Sequence, residues 1–149
     1  ALIENGRLAF VAYDGFSASC AGVEPTGNAS GGPGVAPAVG FANIGVSAHP
    51  AHGMVLGDDE LVRELGSGLV VKRFSGNVDP QSGAFSGIAK NSWWVRDGAR
   101  AHAVNEVMIA GNAFELLERV VAAGATQHAL MGASRAPYLL VDGVSVTGA

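Results

Sequence analysis

Three dipeptides of one kind constrain this chain more than any other feature: Asn5-Gly6, Asp97-Gly98 and Asp142-Gly143, each set between short apolar runs. Such pairs supply the two consecutive positive φ angles of a type I′ turn, whose twist matches that of paired antiparallel strands. Each predicts a hairpin. The first joins Leu2-Ile3 to Leu8–Tyr13, the second joins Ser92–Val95 to Arg100–Val104, and the third joins Tyr138–Val141 to Val144–Val146. Strands joined this way point to an α+β domain rather than to alternating βα units. The expectation is one domain over residues 1–149, a β-rich, mostly antiparallel sheet or barrel-like structure with two or three helices.

The helices announce themselves by their caps. Asp14 is placed to cap a short helix through Cys20 that Gly22 stops. Gly57-Asp58-Asp59-Glu60 opens a second, with its acids at the positive dipole end and Leu61, Val62 and Leu65 on its buried face. Asn112 and Glu115 form a capping box for a third, from Asn112 to Ala123, with Phe114, Leu117 and Val121 on one face and Gly124 closing it. Phe41–Val46, Leu69–Val71, Ala84–Ile88 and Val107–Ile109 read as further strands. Glu24–Gly40, rich in glycine and proline, reads as a long loop, and Ser75–Gly83 as a turn region. In Trp93-Trp94 the two rings point to opposite faces of a strand, one to the core and one to the surface.

Composition closes off several functions. Hydrophobic residues make up 48% and charged residues 15%, enough apolar surface to fold. The net charge is −4 and the nine Lys and Arg are scattered, so nucleic acid is not an expected partner. No apolar run approaches the roughly 20 residues that span a bilayer, so no membrane is expected and a cytoplasmic location is. Cys20 has no partner for an intramolecular disulfide and no nearby activator, and is expected to pack as a small apolar residue.

Searches for a catalytic centre find none. His49-Pro50-Ala51-His52 lacks both a helix and a carboxylate, so it is read as two loop histidines, and His102 and His128 as surface or turn residues. No Gly-x-Ser-x-Gly elbow and no phosphate-binding glycine loop occurs. Asp79 and Glu106 are the candidates for a carboxylate pair, but nothing in the sequence brings them together, and Asp79 before Pro80 suits a turn better than acid–base work.

Five segments nevertheless recur together, in one order, in one family: Leu2–Gly6, Gly22–Asn28, Asn77–Ser86, Ile109–Asn112 and Ala136–Gly148. Across essentially all of its residues the chain resembles the C-terminal domain of TldD/PmbA proteins, long labelled modulators of DNA gyrase. The resemblance implies an intracellular metallopeptidase component that works with a related subunit, as a homo- or heterodimer, on unfolded or modified peptides. Only one subunit type carries zinc, on a His-Glu-x-x-x-His helix upstream of the residues matched here, with a late cysteine ligand. Gln127–Pro137 contains no cysteine, and Phe85-Ser86-Gly87-Ile88-Ala89 is similar to the PmbA type, the one without zinc.

No catalytic residue, cofactor site or metal ligand is therefore expected within these residues, and zinc is expected only in the intact protein or its partner. The matched segments make Thr26, Gly27, Asn28, Asn77, Asp79, Phe85 and Ser86 candidates for contact with peptide or partner. Two other roles stay open: a roof over a zinc site borne upstream on the same polypeptide, and a non-enzymatic interaction module.

Overall fold

The computed structural model describes residues 1–4, 7–48, 53–130 and 134–148. The chain divides into two compact units, Ala1–Val46 with Ala129–Arg135, and Ser47–His128 with Ala136–Ala149.

In the first unit, β1 (Ile3–Glu4) pairs antiparallel with β2 (Arg7–Leu8), as the opening hairpin requires. Asn5-Gly6 itself lies outside the described residues, and strand geometry stops at Leu8 instead of continuing to Tyr13. Helix α1 (Gly15–Ala21) has the expected ends: Asp14 accepts from the Ser17 N–H at 2.7 Å, and Gly22 takes the left-handed conformation at φ 67°. Only Ala18 of this helix is buried, which leaves Cys20 exposed and corrects its assignment to packing. The expected loop over Glu24–Gly40 contains a small hairpin, β3 (Ala29–Ser30) against β4 (Ala38–Val39). Phe41–Val46 forms no strand; Gly45 makes an isolated bridge to Arg135.

The second unit carries three sheets of three or more strands. The first is β10 (Ala99–Val104), β9 (Ser92–Arg96) and β6 (Gly68–Val70), in that order. The second is β16 (Ser145–Thr147), β11 (Val107–Asn112), β8 (Ala84–Lys90) and β7 (Arg73–Val78). Both are antiparallel throughout. The third, β15 (Leu139–Val141), β12 (Val120–Gly124) and β5 (Met54–Leu56), is mixed, since β5 runs parallel to β12. Helix α2 (Asp58–Leu65) buries Leu61 and Val62, and the Glu60 carboxylate accepts from the Gly57 N–H at 2.7 Å. Two short strands, β13 (His128–Ala129) and β14 (Arg135–Ala136), lie where the chain passes between the units. The fold is the expected α+β class, mostly antiparallel with three helices, and among the described residues its sheets remain separate.

Asp97 (φ 50°) and Gly98 (φ 71°) make the predicted turn between β9 and β10. On β9, Trp93 is exposed and Trp94 half-buried; the buried side chains are Ser92 and Val95. Three other expectations are corrected. Helix α3 ends at Glu118, because Val120–Gly124 finds strand partners on both sides and β-branched Val120-Val121 suits a sheet. Phe114, Leu117 and Val121 are consequently exposed, and Glu115 pairs with Arg119 at 3.5 Å. Ser75–Val78 is strand, so the turn shrinks to Asp79–Gly83. The C-terminal runs do not pair with each other: β15 joins β12 and β16 joins β11, so Asp142-Gly143 turns the chain from one sheet to another.

Candidate functional site

Among the described residues the four-stranded sheet has one long open edge, β7. Asp79 donates its N–H to Ala84 O at 2.8 Å, which makes that pair a hydrogen-bonded one. Hydrogen-bonded and non-bonded pairs alternate in an antiparallel ladder. The unbroken register from Val78↔Phe85 to Arg73↔Lys90 therefore turns the main-chain groups of Ser75 and Asn77 toward β8. The N–H and C=O groups of Phe74, Gly76 and Val78 face the open side. Five of the six β7 residues are exposed.

Why this strand contains glycine is a matter of distance. Gly76 opposes Gly87, and a Cβ on Gly76 would lie 2.5 Å from the Gly87 Cα and 2.7 Å from Phe74 Cζ. Phe74 covers the glycine pair and meets Phe85 edge to face, with centroids 5.8 Å apart. Side chains directly opposite each other share a face. Asn77 and Ser86 therefore stand together on one face of the sheet, while Phe85 stands on the other with Ala89, Val107 and Ile109, all three buried.

Asp79 ends the edge strand and is occupied by its own turn. Its Oδ1 accepts from Gln81 N–H at 2.9 Å and its Oδ2 from Ser82 Oγ–H at 2.6 Å. The Ser82 hydroxyl bond, then the backbone donors of Gln81 and Ser82, hold its carboxyl below the usual range. The turn is fastened from below: Asn112 Nδ2–H donates to Ser82 O at 2.8 Å, while its Oδ1 caps α3 by accepting from Phe114 N–H at 2.9 Å. Thr26, Gly27 and Asn28 belong to the first unit. There Thr26 Oγ1 accepts from Tyr13 N–H at 2.8 Å and lies 2.8 Å from Asn28 Oδ1, and Gly27 has φ 78°.

A second feature of the larger unit escaped the sequence. A cavity of about 550 Å³ is lined by Leu61, Val62 and Leu65 of α2, by aliphatic residues of β6 and β15, and by Phe85 and Ile109 from the inner face of the four-stranded sheet. Asp58 and His128 stand at its wall, Nε2 and Oδ2 3.1 Å apart but not aligned for a hydrogen bond. Both His128 Nε2 and Asp58 Oδ1 are buried atoms without a hydrogen-bond partner. The Tyr138 ring lies 4.4 Å from the imidazole. His128 is thus half-buried in a cluster, not a surface residue, whereas His102 is exposed as expected. No signal in the sequence links positions as distant as 58 and 128.

Comparison with known proteins places this architecture. The family described as "PmbA/TldA metallopeptidase C-terminal domain" matches residues 1–148. The chain belongs to that family. This PmbA/TldA-type domain is 32% identical over 124 residues to a protein named Metalloprotease from Methanothermobacter thermautotrophicus, covering 83% of the chain and 26% of that relative. A crystal structure of a candidate modulator of DNA gyrase from Thermotoga maritima superposes with a TM-score of 0.79 at 30% identity, covering 98% of the chain and 32% of its own. TldE from Thermococcus kodakarensis shares the fold at a TM-score of 0.84 and 23% identity, over 99% of the chain and 33% of its own. The domain thus spans between a quarter and a third of the length of these relatives.

A metallopeptidase family implies zinc, but the described residues do not fit one. Among them no group of three His, Cys, Asp or Glu side chains converges. Asp58 and His128 make only two, and His49 and His52 lie outside the described residues. No zinc chemistry is assigned to this domain.

Proposed function

We propose that this PmbA/TldA-type domain belongs to the peptidase component that carries no zinc, and that it forms one wall of a peptide channel shared with a related zinc-bearing subunit in the cytoplasm. Its substrate is an unfolded or modified peptide. The observation that carries this reading is the open edge of β7: three residues present unpaired main-chain donors and acceptors along an exposed strand. An extended peptide can add there as a further strand, with main-chain hydrogen bonds giving affinity that tolerates most sequences. Asn77 and Ser86 flank that edge, Asp79 ends it and Phe85 supports it from the inner face. Thr26, Gly27 and Asn28 supply a separate loop for peptide or partner contact.

Val78→Pro tests the edge directly. The Val78 N–H points away from β8, so proline removes a donor from the open side without removing a ladder bond. Binding of a fluorescein-labelled unstructured peptide, read by fluorescence polarisation, is expected to weaken about fivefold or more, the loss of roughly one hydrogen bond and the fit around it. Unchanged binding by a Val78→Pro protein with a native unfolding temperature refutes the reading.

A further inference from the structure

We propose that the open edge of β7 pairs with the same strand of a second copy of this chain, antiparallel about a two-fold axis at Gly76, so that two copies cover each other's edges. The inference rests on the same open edge as the channel reading, and concerns what occupies it when no peptide does. Edge strands that stay single are commonly protected by a bulge, a proline or a lysine. Strand β7 has none of these: it reads Arg-Phe-Ser-Gly-Asn-Val, and its register with β8 is unbroken from Arg73 to Val78.

The pattern of free main-chain groups restricts how two such edges can meet. Phe74, Gly76 and Val78 turn theirs outward, and in an antiparallel pair residues that do so must stand opposite one another. Centring on Gly76 meets that condition. Gly76 opposes its own copy, and Phe74 opposes Val78 on either side, for about six main-chain hydrogen bonds. A two-fold axis perpendicular to the sheet keeps each face on its own side. Half-buried Phe74 then meets Val78, which is 54% exposed, so apolar surface is covered along with the hydrogen bonds. Charge selects this register. Arg73 and Asp79 lie equally far from Gly76, so each comes opposite the other in the second copy. Within its own sheet Arg73 opposes Lys90, and among the described residues it makes no ion pair. The exposed Asp79 carboxylate accepts one hydrogen bond at each oxygen, which leaves lone pairs for a guanidinium. Sliding the strands by two residues, the smallest shift that keeps the hydrogen bonding, separates Arg73 from Asp79 on both sides.

The test is disulfide trapping in the full chain with Cys20→Ser, under oxidised glutathione, with folding verified by circular dichroism. Ser75 and Asn77 are exposed and come directly opposite in this register, at a Cα separation of about 4.5 Å that suits a disulfide, whereas Ser75 lies about 7–8 Å from its own copy. A mixture of Ser75→Cys and Asn77→Cys proteins is expected to cross-link between the two variants about tenfold faster than Ser75→Cys does with itself. Adding Arg73→Glu to both proteins is expected to slow that cross-link about tenfold, because two exposed ion pairs become like-charge contacts. Equal rates for the mixed and the self cross-link, or no effect of Arg73→Glu, overturn the inference. Loss of the selective cross-link from a protein that still binds the labelled peptide overturns the self-pairing alone and leaves the channel reading standing. A selective cross-link in a protein that binds no peptide upholds the self-pairing and refutes the channel reading.

Discussion

Replacing Gly76 by alanine should destabilise the larger unit far more than its exposed position on an edge strand suggests. The added Cβ has to lie 2.5 Å from the Gly87 Cα and 2.7 Å from Phe74 Cζ, and it also runs into the main-chain oxygen of Ser86. Two of these three neighbours are backbone, which cannot rotate away, so the strands must separate. Overpacking of this kind costs about 1–3 kcal/mol, and the two backbone neighbours put Gly76 at the upper end even if the Phe74 ring moves aside. Against that, alanine restricts the unfolded chain and returns about 0.4–1 kcal/mol. The net loss is about 2 kcal/mol. For a protein of this size, each kcal/mol lowers Tm by roughly 2–4 °C, so the expected fall is about 4–8 °C. The two tryptophans, Trp93 and Trp94, both lie in the larger unit, so their fluorescence follows its thermal unfolding selectively. Gly53→Ala is the control, since its Cβ would meet nothing within 4 Å. If Gly76→Ala melts with the control, the close approach of β7 and β8 does not explain this glycine.

Other outcomes follow from the caps and turns. Asn112→Ala removes both the α3 cap and the bond to Ser82 O, and should cost about 1–2 kcal/mol, seen as a lowered urea midpoint; an unchanged midpoint refutes the double role. Asp14 and Asp79 are both held below the ordinary value of 3.8, Asp14 by the Ser17 backbone and then the Ser17 hydroxyl, Asp79 by the Ser82 hydroxyl and then the Gln81 backbone. Because these folded-state values are lowered, the stability they contribute is complete above 3.8 and is lost as pH falls through the lowered values. The Asp14→Asn, Asp79→Asn double variant should show a flatter fall of Tm below pH 4 than the parent, and an identical fall counts against the assignment. Zinc content by plasma mass spectrometry should stay well below one equivalent, and a stoichiometric value would contradict the absence of a ligand cluster among the described residues.

Features that depend on neighbours in sequence were legible. Asp14, Ser17 and Gly22 define α1 within a single stretch, and Asp97-Gly98 fixes a hairpin because turn and strands are contiguous. Features set by distant partners were not. Gly76-Asn77 looks like turn chemistry, yet its cause is Gly87 on the facing strand. Val120 and Val121 continue the helical spacing of α3, but partners at Met54–Leu56 and Leu139–Val141 claim them for a sheet. Asp142-Gly143 reverses the chain without determining which strand each side will join. The same holds for the candidate sites: a short motif proposes Asn77 and Ser86, which the structure sets opposite each other, whereas the proximity of Asp58 and His128 arises only when β13 meets the start of α2.

The parallel pairing of β5 with β12 bears on the order in which the molecule assembles. Strands β7 to β11 follow one another from Arg73 to Asn112 and pair mostly with immediate neighbours, so little loop entropy opposes them. The third sheet must bring Met54–Leu56 to Ala122–Gly124 and then capture Leu139–Leu140, contacts of long sequence separation that close slowly. Pulse-labelled hydrogen exchange during refolding is expected to protect the amides of β8 and β9 before those of β12, and protection in the opposite order would refute this sequence of events. Until β12 is captured, the chain would already possess most of its two antiparallel sheets while the β15 wall of its cavity was still unbuilt.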